Sequence, residues 1–147
     1  MQYQRETVRD TYEEAKPLLV EHYLEIAHYQ DIPLEPDYAS YASLEDAGIT
    51  RVYTARNEGE LIGYAVFFVR KNIHYSSSLQ AIQDIIYIHP KYRGQGGRFI
   101  VWCDAQLKAE GVQVVYHHVK ASHNWGPLLE RIGYQLIDHI YGRRLDQ

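Results

Sequence analysis

The sequence has little of several features that would place it in a specialised class of protein. Cys103 is its single cysteine, so a scaffold held together by intramolecular disulfides is excluded. No apolar run approaches the roughly 20 residues of a membrane-spanning helix. Residues 1–10 carry charge where a signal peptide has its apolar centre, so we expect a cytoplasmic protein without a membrane partner.

Positive charge is also scarce, because the chain has 15 Lys and Arg against 19 Asp and Glu, which gives a formal net charge of -4. Such a chain has no general attraction to nucleic acid, although a local basic patch can still hold a phosphate. No repeat, low-complexity tract or linker divides the 147 residues. We therefore predict a single domain over residues 1–147, with the composition of an ordinary globular protein.

Hydrophobic periodicity predicts two helices, then three strands, and then a helix, a strand, a helix and a strand. Apolar residues three and four apart predict a helix over residues 6–29, interrupted or kinked at Pro17, and a weaker helix over 38–47 closed by Gly48. Val, Ile, Tyr and Phe predict strands, of which the first two form a hairpin. The predicted strands are residues 50–56, 61–69, 79–89, 112–119 and 134–145, and the later helices are residues 99–111 and a short one from 124–127 to 133. This order predicts an α/β or α+β fold with a mixed sheet.

Residues 85–98 are the most informative segment, because a buried strand runs into a glycine-rich turn and then into an amphipathic helix. Glycines in such a turn allow positive φ and a close approach of the backbone to a ligand. The N–H groups of the following helix N-terminus favour an anion, and Arg93 and Arg98 add donors suited to phosphate. The segment predicts a pyrophosphate site, and the alternative is a flexible connection between strand and helix. Its sequence matches neither a P-loop nor a dinucleotide-binding fingerprint.

Residues 93–96, Arg-Gly-Gln-Gly, follow a strand that ends Ile-His-Pro. They resemble motif A of the GNAT superfamily of acetyl-CoA-dependent N-acetyltransferases. The order of the predicted elements is similar to that family over most of the chain, and Gly133-Tyr134 resembles its Gly-Phe/Tyr ending. Two separated motifs in the expected order are more specific than either alone.

The sequence departs from the family pattern at three positions. Arg98 stands where a small residue is expected, unless one residue has been lost and Gly97 takes that place. Leu129 stands where many members have a Tyr that protonates the departing thiolate, and Ser122 stands near a usual Asn. The sequence does not select a replacement acid.

The resemblance implies a GNAT-like fold, with a mostly antiparallel central sheet whose fourth and fifth strands splay apart between flanking helices. It implies acetyl-CoA as a co-substrate, no metal, and direct attack of a primary amine on the thioester. It also implies that the fourth strand lines the pantetheine arm and motif A holds the phosphates. The implied cofactor-binding residues are Ile86, Tyr87, Ile88, Arg93, Gly94, Gln95, Gly96, Gly97, Arg98 and Asn124.

Asp84 is the predicted catalytic base. Strand alternation places it on the face of Ile82, Ile86 and Ile88, where burial raises a carboxyl pKa toward the range useful for accepting a proton. An acid that faces a loop arginine or caps a helix is the alternative. His118, on the fifth strand beside the expected cleft, is the candidate second acid or base, and a histidine bonded to backbone is the alternative there.

The eight histidines and one cysteine match no zinc spacing, so we expect no metal. The 14 tyrosines are numerous enough to line an acceptor pocket or an interface. Those singled out are Tyr38, Tyr41, Tyr53, Tyr64, Tyr75, Tyr116 and Tyr141. Any of them, Tyr116 or Tyr141 for instance, could replace the missing thiolate acid.

The predicted partner is a small-molecule or peptide amine, with a homodimer as one option. The acidic residues of the N-terminal third are consistent with a cationic acceptor and equally with a solvated helix face. These acids are Glu21, Glu25, Asp31, Glu35 and Asp37. The alternative to an enzyme is a degenerate GNAT fold that serves as a non-catalytic interaction or structural module.

Overall fold

The computed structural model describes residues 1–147 as five strands and four α-helices, with two short 3₁₀ helices at Pro90–Gln95 and Ala121–His123. The strands are β1 (Gln2–Glu6), β2 (Thr50–Asn57), β3 (Glu60–Lys71), β4 (Leu79–Ile88) and β5 (Val114–Tyr116). The α-helices are α1 (Val8–Ile26), α2 (Tyr38–Asp46), α3 (Gly96–Ala109) and α4 (Gly126–Arg131). None of them combines the length and hydropathy of a membrane span.

The five strands form one mixed sheet in the order β1-β2-β3-β4-β5. Neighbouring strands are antiparallel except β4 and β5, which are parallel. The predicted fold class is therefore confirmed, including a predominantly antiparallel sheet with helices on both faces.

Strands β4 and β5 pair over only three positions, the last of which joins Ile82 to Tyr116. Beyond Ile82, β4 continues to Ile88 along β3 with no β5 partner. The predicted splay is thus confirmed, and it leaves the outer edge of β4 unpaired over residues 83–88.

A β-bulge interrupts β4 at the start of this unpaired stretch. Val66 of β3 lies opposite Ile85 and Phe67 opposite Gln83, so Asp84 is the extra residue. A bulge shifts the in-and-out alternation of side chains by one. The sequence-based placement of Asp84 on the face of Ile86 is therefore wrong.

One face of the sheet packs against α3. Phe99, Cys103 and Leu107, at successive four-residue steps, are fully buried against Phe67 and Val69 of β3. The apolar stripe predicted for this helix is confirmed, and its burial holds the start of α3 beside the end of β4.

Helices α1 and α2 cover the opposite face. The side chain of Thr7 caps α1 by accepting from the Asp10 N–H at 3.1 Å, and Asp37 caps α2 by accepting from the Ser40 N–H at 3.0 Å. Helix α1 is continuous through the exposed Pro17. It packs with the sheet through two buried clusters, Leu18 with Leu61, Tyr64 and Tyr87, and Val8 with Val52 and Val66.

The sequence pattern missed a strand at one end of the chain and wrongly predicted one at the other. Residues 2–6 form β1 although their composition is mainly polar, because they complete the edge of β2. No strand forms over residues 134–145. Four apolar residues of this segment come in adjacent pairs, Leu136-Ile137 and Ile140-Tyr141, so the two members of a pair would point to opposite faces of a sheet. All four are exposed.

Candidate active site

A cavity of about 740 Å³ opens where β4 and β5 part. One wall is residues 83–88 of β4, and the opposite wall comes from the segment that follows β5. Helix α1 and the first turns of α3 close the remaining sides. The lining residues beyond β4 include Leu19, His22, Glu25, Arg93, Gly96, Ile100, His118, Lys120, His123 and Asn124.

The glycine-rich turn is a 3₁₀ helix that runs directly into α3. None of its glycines has positive φ, so that expectation is wrong. At Gly97 the small size serves packing instead, because a Cβ there would lie 3.2 Å from the Leu128 side chain of α4. Gly96, the first residue of α3, lines the cavity, whereas Gly94, Gln95 and Gly97 do not.

The two arginines of this segment have different positions. Arg93 lines the cavity, donates to Glu25 Oε2 at 2.5 Å and donates from Nε to the Ile88 carbonyl at 3.2 Å. This pairing holds the pKa of the Glu25 carboxyl below its usual range. Arg98 is exposed and lies outside the cavity, so it neither lines nor blocks it.

Asp84 lines the same cavity from the β4 bulge. The Tyr41 hydroxyl of α2 donates to its Oδ2 atom. Burial raises the pKa of the Asp84 carboxyl, and this hydrogen bond opposes the rise. Burial and the neighbouring carboxylate raise the pKa of Tyr41, so the phenol stays the donor and Asp84 the acceptor.

A second cavity, of about 470 Å³, lies between α1, α2 and the sheet. Ile85, next to Asp84, lines both cavities, and Tyr41 lines this one. The Asp84–Tyr41 contact therefore lies at the junction of the two cavities, which also share Leu19, Tyr23, Ala27, Leu34 and Lys120. Six tyrosines line the second cavity: Tyr12, Tyr23, Tyr29, Tyr38, Tyr41 and Tyr64.

Three of the six were singled out from the sequence, and three were missed. Tyr12 and Tyr23 lie on the apolar spacing of α1, which by itself indicates only an ordinary core-facing stripe. Among the other tyrosines singled out, Tyr53 is buried in the main core and Tyr75 is exposed. Tyr116 and Tyr141, the suggested thiolate acids, line neither cavity.

Comparison with known protein families identifies the family to which the chain belongs. The profile of the Acetyltransferase (GNAT) family matches residues 6–134. The chain belongs to the GNAT acetyltransferase family. It is therefore an enzyme of the acyltransferase class. No curated protein matches the sequence.

Solved structures share the fold of this GNAT acetyltransferase at low identity. A ribosomal-protein-alanine N-acetyltransferase from Brucella melitensis biovar Abortus 2308 has a TM-score of 0.72 at 20% identity, over 99% of this chain and 100% of that one. The aminoglycoside acetyltransferase meta-AAC0020 from a soil metagenome, in complex with sisomicin, has 0.71 at 14%, over 97% and 95%. A transcriptional regulator from Bacillus halodurans C-125 has 0.74 at 15%, over 98% and 99%. Such varied descriptions leave the acceptor open.

His118 and Asn124 of this GNAT acetyltransferase both line the larger cavity. His118 is exposed and follows the end of β5, so its predicted place on the fifth strand is wrong. Asn124 uses its Oδ1 atom to accept from the Gly126 N–H at 2.9 Å, which shapes the entry to α4. Both remain predicted site residues, and no group of three or more His, Cys, Asp or Glu is positioned to hold a metal ion.

His22 is a cavity residue that sequence reasoning missed, because α1 showed only a structural pattern. Its Nδ1 atom lies 2.9 Å from the Tyr64 hydroxyl, and its ring stacks on Tyr87 with centroids 4.9 Å apart. Burial lowers the pKa of His22 to about 4, so the ring is neutral at pH 7. It therefore contributes a neutral aromatic wall to the acetyltransferase.

His117, by contrast, is structural and provides a pH test of the fold. Its Nδ1 atom lies 2.8 Å from Gln83 Oε1, its Nε2 atom is buried without a partner, and burial lowers its pKa to about 4. Between about pH 6.5 and 4 the unfolded chain binds the extra proton, so stability falls as pH falls. Between pH 7.5 and 5.5, the low pKa of His117 should lower the free energy of unfolding of the protein by about 1 kcal/mol.

His117→Asn should therefore reduce the pH dependence of the unfolding free energy by about 1 kcal/mol between those two pH values. Urea unfolding at pH 7.5 and 5.5 measures it. His74→Asn, which replaces an exposed histidine, is the control. An unchanged pH dependence in His117→Asn would show that His117 is protonated alike in the folded and unfolded chain.

Proposed function

We propose that this enzyme takes the acetyl group from acetyl-CoA and transfers it to a primary amine by direct attack. The observation that carries the proposal is the position of Asp84. It is a half-buried acid on a strand bulge, at the junction of two cavities, with Tyr41 as hydrogen-bond donor. Two substrates that enter from opposite sides would meet there.

The larger cavity has the features that acetyl-CoA requires. Residues 83–88 of β4 have no partner on the β5 side, so their backbone groups can pair with the amides of an extended pantetheine arm. At the far end of this edge, Gly96 begins α3, whose N-terminal N–H groups favour a diphosphate. We propose that residues 86–88, Arg93, Gly96 and Asn124 contact this substrate. The exposed Gly94 and Arg98 and the partly buried Gln95 do not line this cavity.

In the proposed reaction the amine nitrogen attacks the thioester carbonyl carbon, so a C–N bond forms and the C–S bond breaks. Asp84 accepts the proton that the amine loses, which requires an ionised carboxylate. Coenzyme A leaves as a thiolate and takes up one proton. His118, which lines the same cavity, is the proposed donor of that proton.

Acetyl-CoA should stabilise the protein by about 3 kcal/mol at 100 times its dissociation constant. A thermal-shift titration measures this, and a thiol reagent then detects free CoA released with a panel of primary amines. Gly96→Phe, which would fill the cavity at the start of α3, should abolish the shift. Gly94→Phe is the matched control, because Gly94 is exposed and a Cβ there would have no atom within 4 Å.

No stabilisation by acetyl-CoA, together with no CoA release from any amine, would contradict the proposal. The non-catalytic module would then be the better interpretation. An equal loss of the shift in Gly96→Phe and Gly94→Phe would place the donor site elsewhere.

A further inference from the structure

The geometry points to an acceptor of a particular class: a primary monoamine attached to an aromatic or bulky apolar group. This inference rests on the proposed function and deepens it. It is drawn from the cavity of about 470 Å³. This cavity meets the larger one, the proposed acetyl-CoA site or donor cavity, beside Asp84. We call it the tyrosine cavity, after the six tyrosines that line it.

The chemistry of its walls is apolar and aromatic. Of the 23 residues that line it, 16 are hydrophobic and only Glu35 and Lys120 are charged. Tyrosine rings bind apolar bodies over a large area and attract an ammonium group to their faces. An aromatic or branched amine is thus bound through its body, and its nitrogen is tolerated near the rings.

The loop between α1 and α2 adds further apolar side chains to the tyrosine cavity. Ile32, Pro33 and Leu34 line it. Ile32 and Leu34 are 49% and 38% exposed, which is high for apolar side chains of their size. Exposed apolar side chains in the lining of an apolar pocket favour a ligand whose body leaves water on binding.

Acidic residues of the N-terminal third already pair with groups of the protein itself. Arg144 donates to both oxygens of Asp31 at 2.9 and 3.0 Å, and Asp37 caps α2. Glu25 pairs with Arg93. A polycation such as an aminoglycoside or a polyamine brings several ammonium groups, each of which needs a carboxylate or water. The tyrosine cavity offers them Glu35 alone, so the cationic acceptor suggested by these acids is disfavoured.

The position of the base completes the inference. Tyr41 lines the tyrosine cavity and donates to Asp84, which lines the larger cavity next to Ile85, a residue of both cavities. A single amino group at one end of an apolar molecule can reach Asp84 while its body stays among the rings. Amines on several positions of a polar scaffold cannot use this arrangement.

The test compares 2-phenylethylamine with spermidine, kanamycin and an alanine-terminated tripeptide, each with acetyl-CoA. CoA release should give a kcat/KM at least 100-fold higher for 2-phenylethylamine. An equal or higher value for any of the other three would overturn the inference. If no amine reacts while acetyl-CoA still stabilises the protein, the acceptor class is wrong and the donor site stands. If the stabilisation is also absent, the proposed function itself fails.

Variants add a readout that separates the two sites. Tyr38→Leu alters only the tyrosine cavity and should raise KM for 2-phenylethylamine about 10-fold, with KM for acetyl-CoA unchanged. Tyr75→Leu, at a tyrosine that is 62% exposed, is the control. An unchanged KM for 2-phenylethylamine in Tyr38→Leu, or an equal rise in Tyr75→Leu, would contradict an acceptor bound through its apolar body.

Discussion

Asp84→Asn is expected to lower kcat for acetyl transfer by at least about 100-fold, the usual scale of general base catalysis. The asparagine amide keeps the size of the side chain and an oxygen for the Tyr41 hydroxyl, but it cannot accept the amine proton. Binding of acetyl-CoA along β4 should be unchanged. Steady-state kinetics and the acetyl-CoA thermal shift, measured on the same preparation, check both parts.

Asp104 provides a close control for this substitution. It is also a half-buried acid whose pKa is raised by burial, and it accepts from the Tyr134 hydroxyl at 2.7 Å. It lines neither cavity, however. Asp104→Asn should affect stability and leave kcat within about threefold of the parent. Equal losses of kcat in both variants would remove Asp84 from the proposed mechanism.

The pH profile of the rate gives an independent check on Asp84. Transfer needs the ionised carboxylate, so kcat should rise with pH through the pKa of Asp84, which burial places above its ordinary value. The Tyr41 hydrogen bond lowers that pKa. Tyr41→Phe should therefore move the acid limb of the profile to higher pH, and an unmoved limb would exclude this coupling.

Gly63→Ala is expected to lower the free energy of unfolding by about 2–3 kcal/mol, the range found for overpacked interiors. Gly63 lies in β3 opposite Ile88, and a Cβ there would lie 2.8 Å from the Tyr87 carbonyl oxygen and 2.9 Å from the Ile88 Cγ1 atom. The first of these is backbone, so β4 itself must shift. Because Tyr87 and Ile88 line the donor cavity, the affinity for acetyl-CoA should fall as well.

Gly94→Ala is the matched control for this second prediction. A Cβ on Gly94 meets no atom within 4 Å, and its φ is not positive. Its unfolding free energy should change by less than about 0.5 kcal/mol, as for most surface substitutions. Urea unfolding of both variants measures this difference. Similar losses of unfolding free energy would show that the close contact between β3 and β4 is not the reason for glycine at position 63.

The confirmed predictions are those that depend on local patterns. The β2–β3 hairpin, the strand β4 and the apolar stripe of α3 each follow from periodicity within one segment. The strand-turn-helix of residues 85–98 and the resemblance to GNAT proteins also follow from contiguous residues. The family match over residues 6–134 confirms that resemblance, whereas the roles of Asp84, His118 and Asn124 stay predictions.

The errors arise where the outcome depends on a partner segment. β1 forms because β2 offers an edge to a mainly polar stretch, and residues 134–145 find no such edge. Arg93 stays a predicted phosphate ligand, but the sequence pattern did not indicate its pairing with Glu25, 68 positions away in the chain. Sequence periodicity carries no information on such long-range partners.

The amino-acid sequence by itself determined the order of the elements, the family motif and the identity of the acid at position 84. Only the tertiary structure decided which way that acid faces, because a bulge exists only in the register between two strands. It likewise assembled tyrosines from two helices and the sheet into one cavity, since residues far apart in the chain become neighbours only when those layers pack.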